Sequence, residues 1–165
     1  MNLQLMYSLQ RTLDRRIEES HGLLKEDLFQ KKLLALLVEL GELANETRCF
    51  KFWSTKDASP REVLLEEFVD GIHFVLSLGI VKGFDQEMKE IPQQPEEVEN
   101  SLTEQFLLLY DEIGKFGQSQ SKSDYENVIR SFFKLGRMMN FSEEDIFNAY
   151  LAKNEVNHKR QDEGY

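Results

Sequence analysis

Apolar residues recur at intervals of three and four along almost the whole chain, the signature of helices with one buried face. Leu5, Leu9, Leu13 and Ile17 stand at i,i+4 spacing and predict a first helix from Leu3 to Glu19, broken by His21-Gly22. A second, more apolar helix is expected from Leu28 to Phe50, followed by a polar and aromatic loop from Lys51 to Ser59. Ser59-Pro60 supplies an N-cap and a proline for the first helical position, so a third helix is expected from Pro60 to Val81. Gly83 to Gln94 reads as a connector with one short turn. Pro95 opens a fourth helix to Phe116, and Gly117 to Ser123 forms a Ser/Gln-rich turn. A fifth helix covers Asp124 to Met139. Ser142, with Asp145 three residues on, caps a last helix from Glu143 to Lys159. The expected fold is all-α: one domain over residues 1–165, an antiparallel bundle of five to six helices with short connections.

Composition agrees with this pattern: 165 residues hold only 3 prolines and 9 glycines, with 41% apolar and 30% charged positions. A formal net charge of −10 argues against nonspecific nucleic-acid binding and against adsorption to anionic membrane. Cys49 is the single cysteine, so no internal disulfide can form, which suits a reducing compartment. The N-terminus has no basic leader ahead of an apolar run, and no stretch approaches the ~20 apolar residues that span a bilayer. A cytoplasmic protein is expected.

One segment breaks the helical economy. In "VELGELANE" of the second helix, Glu39, Glu42 and Glu46 fall within about 60° of each other on a helical wheel, surrounded by leucine, valine and alanine. No basic residue lies between Lys32 and Arg48. A solvated face would normally mix Glu with Lys at i,i+4, whereas like charges at that spacing destabilise a helix. The third helix repeats the pattern in "EEFVDGIHF", where Glu67 and Asp70 stand at i,i+3 beside Glu66. Two adjacent antiparallel helices that each offer such a pair would form a hard-oxygen pocket of the kind Mg²⁺ prefers. A di-iron centre would need Glu-x-x-His on each of two helices, and only Asp70 with His73 approximates one. The alternative reading is a solvated acidic face; the apolar surround and the second pair weigh against it.

These residues resemble a known family. "ELGELANE" followed by "EEFVDGIHF", with "FKFWS" between them, resembles the dimeric all-α dUTP pyrophosphatases within the MazG-type nucleotide pyrophosphohydrolases. The ends of the chain resemble it too, through "LQRTLD" near the start and "KNEVNHKRQDEGY" at the finish. The resemblance implies Mg²⁺-dependent hydrolysis of dUTP to dUMP and pyrophosphate by a homodimer. It implies two or more Mg²⁺ ions, with Mn²⁺ as a substitute. It assigns Glu39, Glu42, Glu67 and Asp70 to the metal, with Glu39 as the candidate base and Glu46 sharing either task. By the same resemblance Gln10 and Asp14 lie at the base, although Asp14 stands where many members carry Asn. Trp53, His73 and Phe74 are implied to contact the nucleoside. Lys153, Asn157, Arg160 and Tyr165 belong to the C-terminal segment that closes on the triphosphate. The implied partners are a nucleotide and a second copy of the chain, with neither nucleic acid nor membrane. The alternatives are a related pyrophosphohydrolase acting on another nucleotide and a non-catalytic regulator that retains the fold.

Overall fold

The computed structural model describes residues 1–92 and 100–164. Six α-helices, α1 (Leu3–Ser20), α2 (Phe29–Thr47), α3 (Arg61–Val81), α4 (Leu102–Ser119), α5 (Lys122–Met138) and α6 (Glu143–Asp162), are joined by short segments, with one 3-10 turn at Phe84–Gln86. No strand occurs among the described residues, so the all-α expectation holds.

Helix boundaries differ from the pattern where a cap decides the matter. α2 stops at Thr47, short of Phe50, because Arg48 adopts a left-handed conformation at φ 58° and ends the helix. Pro60 is itself the extended N-cap of α3 rather than its first helical residue, and the Ser59 hydroxyl is turned to Glu46 instead. The start expected at Pro95 lies outside the described residues. α4 begins at Leu102, where Ser101 and Glu104 form a reciprocal capping box. α4 also runs three residues past Phe116, and the turn shrinks to Gln120-Ser121, with Ser121 capping α5. The box at Ser142 and Asp145 opens α6 as expected.

α3 is the axial helix. It touches α1, α2, α5 and α6, and from Phe68 to Gly79 it is buried almost without interruption. The Phe68 ring packs 5.0 Å from that of Phe132, tilted by 34°, and both lie in a core that draws on all six helices. Phe106, Leu109, Phe132 and Phe133 fill this core, whereas Leu107 and Leu108 face outward.

Close approach of α3 to α5 requires glycine at two positions. A Cβ on Gly71 would overlap the Phe132 ring, and one on Gly79 would overlap Tyr125. The hydroxyl of Tyr125 also donates to the Val75 carbonyl at 3.1 Å and lies 2.7 Å from that of Tyr7, which ties α1, α3 and α5 together. We expect Gly79→Ala to destabilise the fold by about 1–3 kcal/mol through overpacking. Urea unfolding tests this, and an unchanged midpoint would show that the contact can relax.

Candidate active site

The acidic stripe lies where antiparallel α2 and α3 face each other. Glu39 of α2 and Glu67 and Asp70 of α3 place carboxylate oxygens within 4.8 Å of one another. The i,i+3 spacing on α3 puts both of its acids on one face, and the antiparallel pairing sets Glu39 opposite them. Glu42, one turn further along α2, is exposed but close enough to act electrostatically on Glu39 and Glu67.

Burial and mutual repulsion make these carboxyls reluctant acids. The Glu39 pKa rises to about 7, first through desolvation and then through Asp70, Glu42 and Glu67. Glu67 is raised for the same reasons. Asp70 is raised by burial, although Lys153 opposes the shift. Lys153, on α6, donates to Asp70 Oδ2 at 2.7 Å and to Glu66 Oε1 at 3.0 Å. An all-oxygen set of three half-buried carboxylates is the donor chemistry of a hard divalent cation.

A cleft of about 330 Å³ opens beside the cluster. α1 lines it with Gln10, Leu13, Asp14, Ile17 and Glu18, and α2 with Lys32 and Glu39. α3 contributes Asp70, His73, Phe74 and Ser77, and α6 contributes Lys153, Asn157, Arg160 and Gln161. Away from the acids the wall is a connected polar network. Gln10 Nε2 donates to Asp14 Oδ1 at 2.7 Å, while Gln10 Oε1 lies 2.7 Å from His73 Nδ1 and 3.0 Å from the Tyr150 hydroxyl. Ser77 Oγ donates to Asp14 Oδ2, which also receives Lys32 Nζ at 3.2 Å. His73 is buried, and its pKa falls to about 3, chiefly through desolvation. Its Nε2 has no hydrogen-bond partner.

Of the residues singled out in the sequence, the fold gathers Gln10, Asp14, Glu39, Asp70, His73, Phe74, Lys153, Asn157 and Arg160 on one cleft, with Glu67 joined to it through the carboxylate cluster. Two others, Glu46 and Trp53, stand elsewhere. Glu46 accepts from Ser59 Oγ, and its own carbonyl accepts from the Ser59 amide at 3.0 Å, so it ties down the loop that follows α2. Trp53 is 64% exposed on that loop, edge-on to Phe50 and Phe52, and does not line the cleft. Tyr165 lies outside the described residues. The sequence reading missed Lys32, Glu18 and Ser77. Ser77 stands one turn beyond His73, a spacing that puts both on one face of α3.

An all-helical bundle that converges carboxylates from two antiparallel helices at one end of a polar cleft has the make-up of a nucleotide hydrolase. The chain belongs to the dUTPase family, which it matches over residues 2–165. This is the dimeric, all-α kind of dUTPase that the sequence resembles. No curated protein matches the chain.

Proposed function

We propose that the protein is a Mg²⁺-dependent dUTP diphosphatase that releases dUMP and pyrophosphate. The observation that carries this reading is the convergence of Glu39, Glu67 and Asp70 at one end of a cleft whose other walls hold Gln10, Asp14, His73 and the α6 segment. A triphosphate brings several negative charges to a site already lined by acids, so the two tolerate each other only with cations between them. Glu42, Glu67 and Asp70 would hold the metal, and Glu39 would complete the set. When bound, Mg²⁺ supplies charge neutralisation on the phosphates and acidifies a coordinated water.

The chain's own groups supply the rest. Lys153 and Arg160 offer cationic contacts to phosphate oxygens, and the Arg fork suits two of them at once. Glu39, pushed up to about 7 beside its neighbours, is the carboxylate best tuned to take a proton from water near neutral pH. Glu46 holds Ser59 and stands apart from the cluster of Glu39, Glu67 and Asp70. Phe74 lines the cleft one residue from His73 and would crowd the sugar.

A homodimer is part of this reading. Leu34 and Val38 of α2, Leu107 and Leu108 of α4, and the Phe50, Phe52 and Trp53 cluster are exposed apolar groups that a second copy would cover. No helix among the described residues is long and apolar enough to cross a membrane. The lone Cys49 is unpaired, in keeping with work on the nucleotide pool of a reducing cytoplasm.

The test is to incubate the protein with dUTP, dCTP, dTTP, dATP, dGTP and UTP, with Mg²⁺ and with chelator, and to measure pyrophosphate. Preferential, metal-dependent turnover of dUTP is expected. Equal rates on all nucleotides would replace the reading with a broader pyrophosphohydrolase, and no turnover of any would leave a regulator.

A further inference from the structure

We propose that Lys32 is a specificity-determining residue, whose ammonium selects a nucleobase presenting a ring carbonyl, as uracil does, over one presenting an exocyclic amine. The inference rests on reading the cleft as a nucleotide site.

The cleft has two polar ends. Lys32 and Glu39 are seven residues apart on α2, and Asp70 and Ser77 are seven apart on α3, so each pair is separated by ~10 Å along its helix axis. With the phosphates held at Glu39, Asp70 and Lys153, the base falls toward Lys32, Asp14 and Ser77.

Donors and acceptors at that end can be counted. The Asp14 carboxylate accepts from Gln10 Nε2, Ser77 Oγ and Lys32 Nζ, and its side chain is only 11% exposed. Gln10 gives one amide N–H to Asp14 and its oxygen to His73 and Tyr150, which leaves its second N–H. Asp14 therefore offers the base no donor, and Gln10 retains a single N–H. Lys32 has three N–H donors. Two go to Asp14 Oδ2 at 3.2 Å and to Glu18 Oε1 at 2.9 Å, and the third remains for the cleft that Lys32 lines. The matching acceptor is His73 Nε2. With Nδ1–H donated to Gln10 Oε1, this nitrogen carries a lone pair, lies buried and has no partner.

The Lys32 donor and the His73 acceptor complement the carbonyl and adjacent N–H of an imide edge. Cytosine reverses both groups on that edge: an amine would face the ammonium, and a bare ring nitrogen would face the histidine lone pair. Buried groups left unpaired in this way are what make hydrogen-bonding sites selective. A purely structural Lys32 would neutralise Asp14 and Glu18 without reading the base.

The test compares kcat/KM for dUTP and dCTP, and the affinities of their non-hydrolysable imido analogues, in wild type, Lys32→Met, Lys32→Gln and Lys32→Arg. For Lys32→Met the preference for dUTP should fall by about 10- to 100-fold, mostly through loss on dUTP. Lys32→Gln keeps a donor for Asp14 and can turn its oxygen to the cleft, so it should fold and gain dCTP binding. Lys32→Arg should keep the preference within about threefold while the donor stays in reach. An unchanged dUTP-to-dCTP ratio in both the Met and Gln variants, whatever their absolute rates, would overturn the proposal and leave the dUTP reading standing. Wild type that binds the dUTP analogue selectively through Lys32 but never releases pyrophosphate would overturn the activity and not the proposal. Wild type that neither binds nor hydrolyses pyrimidine nucleotides would overturn both.

Discussion

Asp70→Asn is expected to slow dUTP turnover by on the order of a thousand-fold, about 4 kcal/mol of barrier, while leaving a folded protein. Asp70 is the joint of the site, sharing a 4.8 Å cluster with Glu39 and Glu67 and receiving Lys153 at 2.7 Å. Asparagine has nearly the same shape, and its oxygen still accepts from Lys153, so packing survives. The lost feature is a full negative charge where cation and phosphate must balance. Stability should change little, because losing the Lys153 charge pair is offset by relief from burial and from repulsion by Glu66. Pyrophosphate release under saturating Mg²⁺, with a thermal melt in chelator as the folding control, checks both halves. Turnover within tenfold of wild type would remove Asp70 from the metal set. Glu46→Gln is the internal contrast. Its carboxylate holds Ser59 rather than the cluster, so activity should stay within about tenfold while the loop after α2 loosens.

That contrast shows what a sequence can and cannot say. Lys32, Glu39 and Glu46 are spaced by seven residues, so they share one face of α2 with only ~20° of drift per step. Periodicity fixed that azimuth, and it likewise paired Glu67 with Asp70. It did not fix what each level of the face meets. At Lys32 the face meets Asp14 of α1, which also holds Ser77 of α3; at Glu39 it meets Asp70 of α3; and at Glu46 it meets Ser59 of the loop ahead of α3. Three like positions therefore serve three purposes, and the lysine looked like the edge of the acidic stripe when it is part of the same wall. Caps were legible where a hydroxyl and a carboxylate stood three apart, as at Ser142 and Asp145. At Pro60 the proline is itself the cap, so the proline signal sets the boundary one residue early. Trp53 illustrates a different limit, since a loop has no period from which to infer its neighbours.

Removing the metal should expose the strain stored in the acidic cluster as a pH-dependent stability. Glu39 has a folded pKa near 7 against an ordinary 4.5, and Glu67 and Asp70 are raised as well. A raised carboxyl keeps its proton longer in the folded state than in the unfolded one. Its contribution is full below about pH 4.5 and is lost as pH climbs through 7. His73 works the other way. Its folded pKa near 3 lies below the ordinary 6.5, so it favours the folded state above pH 6.5 and loses that contribution as pH falls. The two effects oppose each other in mild acid, and the range from about pH 6.5 to 8.5 isolates the carboxylates. In chelator, the melting temperature should fall across that range, and Glu39→Gln should flatten the slope. Mg²⁺ binds the ionised carboxylates, so its stabilisation should grow with pH. At a hundredfold excess over Kd it adds about 2.7 kcal/mol, roughly 5–10 °C for a chain of this length. Scanning calorimetry with and without Mg²⁺ at the two ends of the range decides the matter. Parallel pH profiles for wild type and Glu39→Gln, or a Mg²⁺ increment independent of pH, would mean that the acids tolerate one another without a cation and that the metal binds elsewhere.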